Sequence, residues 1–416
     1  MQKQERISLD RIAQITWEAF KNEELQKGEN AWVFYDIDFL QKRIERLKAA
    51  FPANTLHAIA MKANPLTDIL NWMTALDVGA EVASLPELKM ALDAGYTPNK
   101  IVFDSPCKTV DEIAFALQKG IRLNADSFEE LHRIDELLKI GNYEQPPSLG
   151  LRINPQTGTG QITSTSVAGQ VSKFGEPLKD FREKIIDAYL QYNWLNAIHV
   201  HIGSQGCPPD MLVKGIGDVV ALADEINEAL ERNKMPNRIQ TFDMGGGLPV
   251  TYHFNDSGNP IEDYQKQLQE ALPQLFDGRY QLITEFGRHI HANAAWALSR
   301  VEYVKEVNGQ AILVNHLGAD FMLRECYNPN DWHHEISLVD AKGNLKTSNQ
   351  TTNYHIAGPL CFAGDFISRG VKLPKVETGD YLIIHDVGAY TLGMWSRYNS
   401  RVEPRVITDS NSKNKI

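Results

Sequence analysis

The sequence of 416 residues has few cysteines and none of the spacings that cysteine-based sites use. Its four cysteines form no CxxC pair, and no group of histidines and cysteines has the spacing of a zinc site. A chain of this length does not depend on a disulfide framework. We therefore expect reduced thiols, a reducing compartment and no bound metal.

Long hydrophobic runs and an excess of positive charge are also missing. No segment approaches the roughly 20 apolar residues that a membrane span needs, and the N-terminal MQKQERISLDRIAQ lacks the apolar core of a signal peptide. The formal net charge of -11 argues against nucleic acid and anionic membranes as partners. We expect a cytoplasmic protein that binds neither of them.

What the sequence does contain is a regular alternation of short apolar runs and helical patterns. Each run ends in polar or glycine residues, as parallel β-strands do in βα units. About eight such units predict an α/β protein with a TIM-type (β/α)8 barrel over residues 30–289, and a doubly wound open sheet is the rival architecture. The runs are TLHAIAMKAN, AEVAS, KIVFDSP, IRLNADS, SLGLRINP, LNAIHVHIGS, IQTFDMGGG and YQLITEFGR.

The pattern changes after residue 289. Segments such as QAILVNHLG, EISLVDAKG and DYLIIHDVGAY indicate strands without long helices between them. Residues 290–416 are therefore predicted to form a C-terminal β-rich domain, either a sandwich or a barrel. Residues 1–29 are predicted to form an N-terminal helix and a lead-in to that domain, so that the chain has two domains, as its length suggests.

Candidate chemical groups stand where the strand runs stop, which in a barrel is the face that carries active sites. Lys62 would be partly desolvated there and could act as an amine nucleophile. Gly245–Gly247 could approach an anion closely, and Ser204 and Arg288 could bind the same phosphate. Taken singly, each has an ordinary interpretation: a solvated lysine, a tight turn, or a polar strand end.

Three further residues are candidates for chemistry, and one pair of histidines is not. Glu285, at the end of a strand run, needs a partner such as a pyridinium N–H. His201 could stack on a heteroaromatic ring, and Cys361 could deliver a proton to a carbanion, although both residue types are common in protein cores. His333, in DWHHE, lacks the helical spacing of a metal pair with its neighbour, so we interpret both histidines as loop or strand residues.

The motifs together resemble the fold-type III pyridoxal-phosphate decarboxylases, the group of diaminopimelate, ornithine and arginine decarboxylases. Any one motif is weak, but the ordered set is specific, and it runs from about residue 30 to the C-terminus. The motifs are MKAN (61–64), HVHIGSQ (199–205), GGGL (245–248), TEFGR (284–288), GPLCFAGD (358–365), GAY (388–390) and SRYNSR (396–401).

The resemblance implies a pyridoxal 5'-phosphate enzyme that removes a carboxyl group from an amino acid. Lys62 would hold the cofactor covalently, His201 would stack on its ring, and Glu285 would keep the pyridine nitrogen protonated. Cys361 would protonate the substrate Cα and would come from the partner subunit of a homodimer. The remaining cofactor contacts would come from Ser204, Gly246, Gly247, Gly287, Arg288 and Tyr390.

The substrate pocket departs from the family pattern. Phe362 occupies a position where relatives that act on lysine-like or ornithine-like substrates have an acidic residue, and Asp365 is a possible replacement for that charge. Arg324 could pair with a distal carboxylate, although it could equally be solvated or paired at an interface. We therefore predict a substrate with a distal carboxylate or polar group, contacted by Arg288, Arg324, Tyr327, Phe362 and Asp365.

Two alternative functions remain at this point. An amino-acid racemase with a similar barrel would be expected to avoid a carboxylate at the pyridine nitrogen, and Glu285 argues against it. A non-catalytic regulatory homologue would be expected to lose cofactor residues, but Lys62, Glu285 and Cys361 are all present.

Overall fold

The structure is a computed structural model, and it describes residues 5–25, 28–141, 143 and 148–409. The chain divides into two compact units. The barrel unit comprises the described parts of Ile44–Pro249 and Asn259–His289. The β-rich unit comprises the described parts of Met1–Arg43 and Ile290–Ile416, together with Val250–Gly258.

The strands of both units alternate with helices in the first two thirds of the chain and follow one another more closely afterwards. They are β1 Ala31–Asp36, β2 Leu56–Ala60, β3 Gly79–Val82, β4 Ile101–Asp104, β5 Arg122–Ala125, β6 Leu149–Asn154, β7 Glu176–Pro177, β8 Ala197–Val200, β9 Thr241–Asp243, β10 Gln281–Thr284, β11 Ala295–Val307, β12 Gln310–Asn315, β13 Ile336–Val339, β14 Thr352–Ala357, β15 Phe366–Leu373, β16 Tyr381–Ile384 and β17 Arg405–Asp409. The α-helices are α1 Leu9–Lys21, α2 Ile37–Ala50, α3 Thr67–Thr74, α4 Leu85–Asp93, α5 Val110–Lys119, α6 Phe128–Ile140, α7 Leu178–Gln191, α8 Pro209–Arg232, α9 Ile261–Ala271, α10 Arg288–His291 and α11 Leu323–Tyr327.

The barrel unit is a closed ring of parallel strands. Among the described residues, eight strands pair in the order β2-β3-β4-β5-β6-β8-β9-β10, and β10 pairs with β2 to close the ring. The short strand β7 pairs only at the edge of β6. These eight strands are the eight runs predicted from the sequence, so the predicted α/β barrel is confirmed.

Local sequence signals start the helices that follow the barrel strands. Ser84, Thr109 and Ser127 each cap a helix by accepting a backbone N–H of its first turn, and Thr109 forms a full capping box with Glu112. Because Ser84 and Ser127 each lie two residues after the end of a strand, the chain turns sharply there at the carboxyl end of the strand. The polar residues at the strand ends are therefore collected on one face of the ring.

The β-rich unit is built on a mostly antiparallel sheet. In the described part of the chain this sheet has eight strands, with the path β13-β16-β11-β12-β14-β15; β1 pairs with β11, and β17 pairs with β1. Helix α1 begins after the cap Ser8 and belongs to the same unit, and Ile12, Ile15 and Ala19 form its buried side. The predicted β-rich second domain is thus confirmed as an architecture, whereas its predicted limits at residues 29, 30, 289 and 290 stay a prediction.

Candidate functional site

Lys62 lies directly after β2, in a one-turn 3-10 helix formed by Met61–Ala63. Its Nζ forms an ion pair with the carboxylate of Glu81, which projects from the neighbouring strand β3. Glu81 is buried, and that burial raises the pKa of its carboxyl group although the Lys62 charge lowers it. The amine is therefore held at the carboxyl end of the barrel strands by a partner that sequence analysis missed.

Glu285 follows β10 and is buried inside the barrel unit. Its Oε1 atom has no hydrogen-bond partner among the described residues. Burial raises the pKa of Glu285 well above its usual value, with the nearby Asp243 charge acting in the same direction. A buried carboxylate oxygen without a hydrogen-bond donor lowers the stability of the folded protein, so Glu285 is suited to a ligand that donates a hydrogen bond.

His201 lies beside Glu285 in the barrel unit. The His201 Nδ1 atom accepts the Gly246 backbone N–H at 3.3 Å and lies 3.7 Å from Glu285 Oε2. Burial lowers the pKa of His201 well below its usual value, and the charges of Arg152 and Lys62 act in the same direction. The imidazole is therefore a neutral, flat ring in contact with the glycine loop.

The loop Gly245–Gly247 needs glycine for both conformation and space. Gly245 has a φ of +65° and Gly247 a φ of +93°, a region that other residues rarely adopt. A Cβ atom on Gly246 would clash with the backbone carbonyl of Glu285, and one on Gly247 would clash with that of Gly203. This close-packed bare backbone can present N–H groups to an anion.

Arg288 and Ser204, predicted to bind the same phosphate, are in contact in the barrel unit. The Arg288 Nε donates to the Ser204 Oγ at 3.2 Å. Between Glu285 and Arg288, a Cβ atom on Gly287 would clash with the side chains of Ala60 and Ala63 on either side of Lys62. The TEFGR and MKAN motifs are therefore packed against each other.

A network of buried charges below this face was not predicted. His199 lies on β8 between Asp104 of β4 and Asp243 of β9, at 3.3 Å from one carboxylate oxygen and 3.2 Å from the other. Asp104 also pairs with Arg152 at 2.9 Å, and Asp243 accepts from Asn124 at 3.0 Å. The sequence did contain a signal for this network, because a polar residue lies within each of these apolar runs and such residues indicate a polar barrel interior.

Cys361 lies in the β-rich unit, in the loop between β14 and β15, and is exposed. Its backbone N–H donates to Asn399 Oδ1 at 2.8 Å, and its carbonyl accepts the Tyr398 hydroxyl at 2.9 Å. The GPLCFAGD and SRYNSR motifs, which are well separated in sequence, therefore meet at this cysteine.

Three of the residues predicted to contact substrate, Arg324, Tyr327 and Phe362, form two groups in the β-rich unit. The Phe362 ring is stacked on Tyr327, with centroids 5.0 Å apart and planes at 17°. The buried Arg324 guanidinium lies 4.1 Å from the ring centroid of Trp332 and 5.7 Å from that of Tyr390, and it donates to the Ala389 carbonyl at 3.2 Å.

Asp365 is engaged by the backbone. Its Oδ1 accepts the Ala319 N–H at 2.6 Å, and its Oδ2 accepts the Leu360 N–H at 2.7 Å. Cβ atoms on Gly318 or Gly358 would clash with the same carboxylate. Asp365 therefore holds the loop that carries Cys361, and this geometry argues against the predicted contact with substrate.

A search of the described residues for a helix long and apolar enough to cross a membrane finds none.

The family match and the similar proteins of known function indicate the same family. Residues 37–292 match the family described as "Pyridoxal-dependent decarboxylase, pyridoxal binding domain". The chain is 30% identical to the diaminopimelate decarboxylase of Helicobacter pylori strain J99, over 92% of this chain and 91% of that protein. It is 27% identical to the diaminopimelate decarboxylase of Aquifex aeolicus, over 92% and 87% of the two chains.

Solved structures agree with these relatives. The diaminopimelate decarboxylase of Helicobacter pylori complexed with L-lysine superposes with a TM-score of 0.82 at 27% identity, covering 94% of each chain. A lysine/ornithine decarboxylase from Vibrio vulnificus complexed with cadaverine has a TM-score of 0.78 at 22% identity, covering 98% of this chain and 100% of that one, and supports the fold alone.

Proposed function

This chain belongs to the pyridoxal-dependent decarboxylase family and is a pyridoxal-phosphate-dependent amino-acid decarboxylase, and we propose that its substrate carries a distal carboxylate or uncharged polar group. Family membership favours decarboxylation over the racemase and regulatory alternatives. The substrate and the roles of individual residues are the proposed part.

The side chains of the barrel unit fit the cofactor. The buried Glu285 Oε1, which lacks a donor among the described residues, suits a pyridinium N–H. The cradle at Gly246 and Gly247, which a Cβ atom would fill, suits a phosphate together with Ser204 and Arg288. We propose that these residues, with Gly287, hold pyridoxal phosphate and that the neutral His201 ring stacks on it. Tyr390, the remaining residue proposed to contact the cofactor, belongs to the β-rich unit.

Each side chain then has a defined task. When bound, the cofactor accepts the electron pair released as the substrate carboxylate departs as carbon dioxide. Lys62, which pairs with Glu81 here, would hold the cofactor covalently, and Glu285 would hold a proton at its pyridine nitrogen. The Cys361 thiol gives a proton to the substrate Cα, and the Lys62 amine regains its place when the product amine leaves.

We further propose a homodimer in which Cys361 serves the barrel unit of the partner protomer. The exposure of Cys361, held by Asn399 and Tyr398, supports this arrangement. Mixing the inactive Lys62→Ala and Cys361→Ala proteins under subunit exchange should restore activity, with up to about a quarter of all sites intact in a random dimer population. A mixture as inactive as its components would contradict shared sites.

The observation that carries the substrate proposal is the stack of Phe362 on Tyr327 beside Cys361. A distal ammonium requires a carboxylate partner when it leaves water. Phe362 cannot supply one, and both oxygens of Asp365 accept backbone N–H groups. The buried cation of Arg324 in the same unit favours an anionic or polar group instead.

The test is carbon dioxide release across a panel of amino acids with carboxylate, amide and amine ends. The wild type should have its highest kcat/KM on the carboxylate or amide members, and Phe362→Glu should improve meso-diaminopimelate, lysine and ornithine by about tenfold or more, as expected for a charge-assisted hydrogen bond. Phe362→Leu is the matched control, since it adds no charge and should give no gain. Preference of the wild type for amine-ended substrates would contradict the proposal.

The role of Arg324 is tested separately on the same panel. Arg324→Ala should impair carboxylate-bearing substrates more than the others, because only they would use its charge. Equal losses on all substrates would assign Arg324 to the packing of Trp332 and Tyr390 and would remove it from the substrate contacts.

We also propose a cytoplasmic location. It is supported by the four cysteines, Cys107, Cys207, Cys326 and Cys361, which are all free thiols. Fractionation of cells that express the chain would test this location, and recovery with an exported fraction would contradict it.

A further inference from the structure

Two histidines and one glutamate converge in the β-rich unit. His253 comes from the segment Val250–Gly258, whereas His333 and Glu335 precede β13. The imidazoles of His253 and His333 are stacked, with centroids 4.0 Å apart and planes at 17°. His253 Nδ1 and His333 Nε2 face the same carboxylate oxygen, Glu335 Oε1, at 3.7 Å and 3.6 Å.

These separations are too long for hydrogen bonds. They are close to the distance between two ligands of one ion, because a tetrahedral zinc ion with bonds of about 2.0 Å separates its ligand atoms by roughly 3.3 Å. The His253, His333 and Glu335 ligand atoms all lie within 4.8 Å of one another. Because an ion lies in the plane of each imidazole that binds it, one of the two rings turns out of the stack when both bind the same ion.

Two further observations point to a ligand. The His333 Nε2 atom is buried and has no hydrogen-bond partner among the described residues, so it faces the other two groups unsatisfied. Glu335 Oε1 also accepts the Phe254 backbone N–H at 3.2 Å, which orients the carboxylate as outer contacts orient metal ligands.

The neighbouring histidines are engaged elsewhere, which explains why His333 is the one available. His334 contacts the His385 carbonyl through Nδ1 at 2.6 Å and pairs with Glu325 through Nε2 at 2.9 Å. The His385 Nε2 contacts the Ser337 hydroxyl at 2.8 Å. The Arg6 guanidinium donates to the His253 carbonyl at 3.1 Å and so fixes that segment of backbone.

We propose that His253, His333 and Glu335 bind one divalent cation of the zinc class. Two imidazoles and a carboxylate are a recognised ligand set for this ion, with a water molecule as fourth ligand. The ion joins Val250–Gly258 to the strand β13, and its role is to stabilise the β-rich unit. The expectation that His333 is not a ligand rested on spacing along the chain, which could not detect a partner as distant in sequence as His253.

The experiment uses the untagged enzyme loaded with its cofactor and freed of metal by chelation. Calorimetric titration with Zn²⁺ should give one equivalent per chain and should raise the Tm. His253→Ala, His333→Ala and Glu335→Gln should each weaken binding by at least about tenfold. His316→Ala is the matched control, because His316 is another histidine of this unit that pairs with a glutamate, Glu302, and its loss should leave binding unchanged.

Two further measurements separate loss of metal binding from misfolding and identify the type of ligand. Cofactor absorbance and Tm without metal identify any variant that fails to fold, and Glu335→Gln keeps the shape of the side chain in case the histidine variants do fail. Titration with Co²⁺ distinguishes the ligands, since sulfur coordination gives an intense charge-transfer band that nitrogen and oxygen ligands lack. Binding by cysteine, or equal Zn²⁺ affinity in the wild type and the triple variant, would overturn the proposal.

Discussion

His199 Nδ1 lies 3.2 Å from Asp243 Oδ2 in the interior of the barrel unit, and its Nε2 lies 3.3 Å from Asp104 Oδ2. All three side chains are buried. Because both ring nitrogens face carboxylates, both must carry hydrogen, which makes the ring an imidazolium. Burial opposes this charge, but Asp243 and Asp104 outweigh it and hold the pKa of His199 well above its usual value.

Replacement of His199 by leucine should destabilise the protein strongly. The change leaves Asp104 and Asp243 buried with one cation fewer, and loss of one partner of a buried pair costs about 3–5 kcal/mol. Urea unfolding of the cofactor-loaded protein should measure this loss. His132→Leu, an exposed change on α6, is the control and should stay within about 0.5 kcal/mol of the wild type. Similar unfolding of both variants would show that the His199 charge contributes nothing.

The raised pKa of His199 also predicts how the stability of the protein depends on pH. Since the folded pKa of His199 is raised, its contribution is complete below the unfolded pKa of about 6.5 and is lost as pH rises through the higher folded value. The difference in unfolding free energy between wild type and His199→Leu should therefore shrink at alkaline pH. A difference that instead grew with pH would mean that the folded ring is neutral.

Glu285→Gln should abolish most of the activity while the cofactor stays bound. The glutamine amide keeps the size of the side chain but cannot keep a proton on a pyridine nitrogen, and loss of a proton-holding group costs about 10²–10⁴-fold in rate. We expect this loss in kcat for carbon dioxide release, with cofactor content followed by absorbance. Glu270→Gln, on the exposed side of α9, is the control. Full activity of Glu285→Gln would exclude this carboxylate from the reaction.

Lys62→Ala should lose the covalent attachment of the cofactor. Borohydride treatment should fix the cofactor to the wild-type chain, because reduction makes a bond between an amine and an aldehyde permanent, and should leave the variant unlabelled. Mass spectrometry of the digested chain identifies the labelled residue. Lys89→Ala, which removes an exposed lysine of α4, should be labelled like the wild type. Label on any lysine other than Lys62 would show that another amine anchors the cofactor.

The sequence predicted the parts of the fold that are local and missed those that depend on which elements become neighbours. All eight barrel strands are apolar runs with polar ends, and they were found. The strands β14 and β15 were missed, although Tyr354 and Ile356 of β14 are buried with the period of two that marks a strand.

In the candidate site, too, the local features were predicted from the sequence and the contacts between distant residues were not. Motifs identified Lys62 and Glu285 because each motif is contiguous. The ion pair of Lys62 with Glu81 and the position of His199 between two carboxylates join different strands, and spacing along the chain carries no information on which side chains enter the barrel together. Asp365 was predicted to contact substrate because it is close in sequence to Phe362 and could replace the missing acidic residue, whereas in the structure both of its oxygens accept backbone N–H groups.

Asn399 should control how well Cys361 is positioned, because its Oδ1 accepts the Cys361 backbone N–H at 2.8 Å. Asn399 has a φ of +57°, so an alanine variant would combine backbone strain with loss of the acceptor, whereas Asn399→Gly removes the acceptor alone. We expect Asn399→Gly to lower kcat about three- to tenfold, the equivalent of one hydrogen bond, with cofactor absorbance unchanged. Asn399→Asp keeps an acceptor oxygen and should retain most of the activity. If the glycine and aspartate variants had equal rates, the Asn399 side chain would be irrelevant to proton delivery by Cys361.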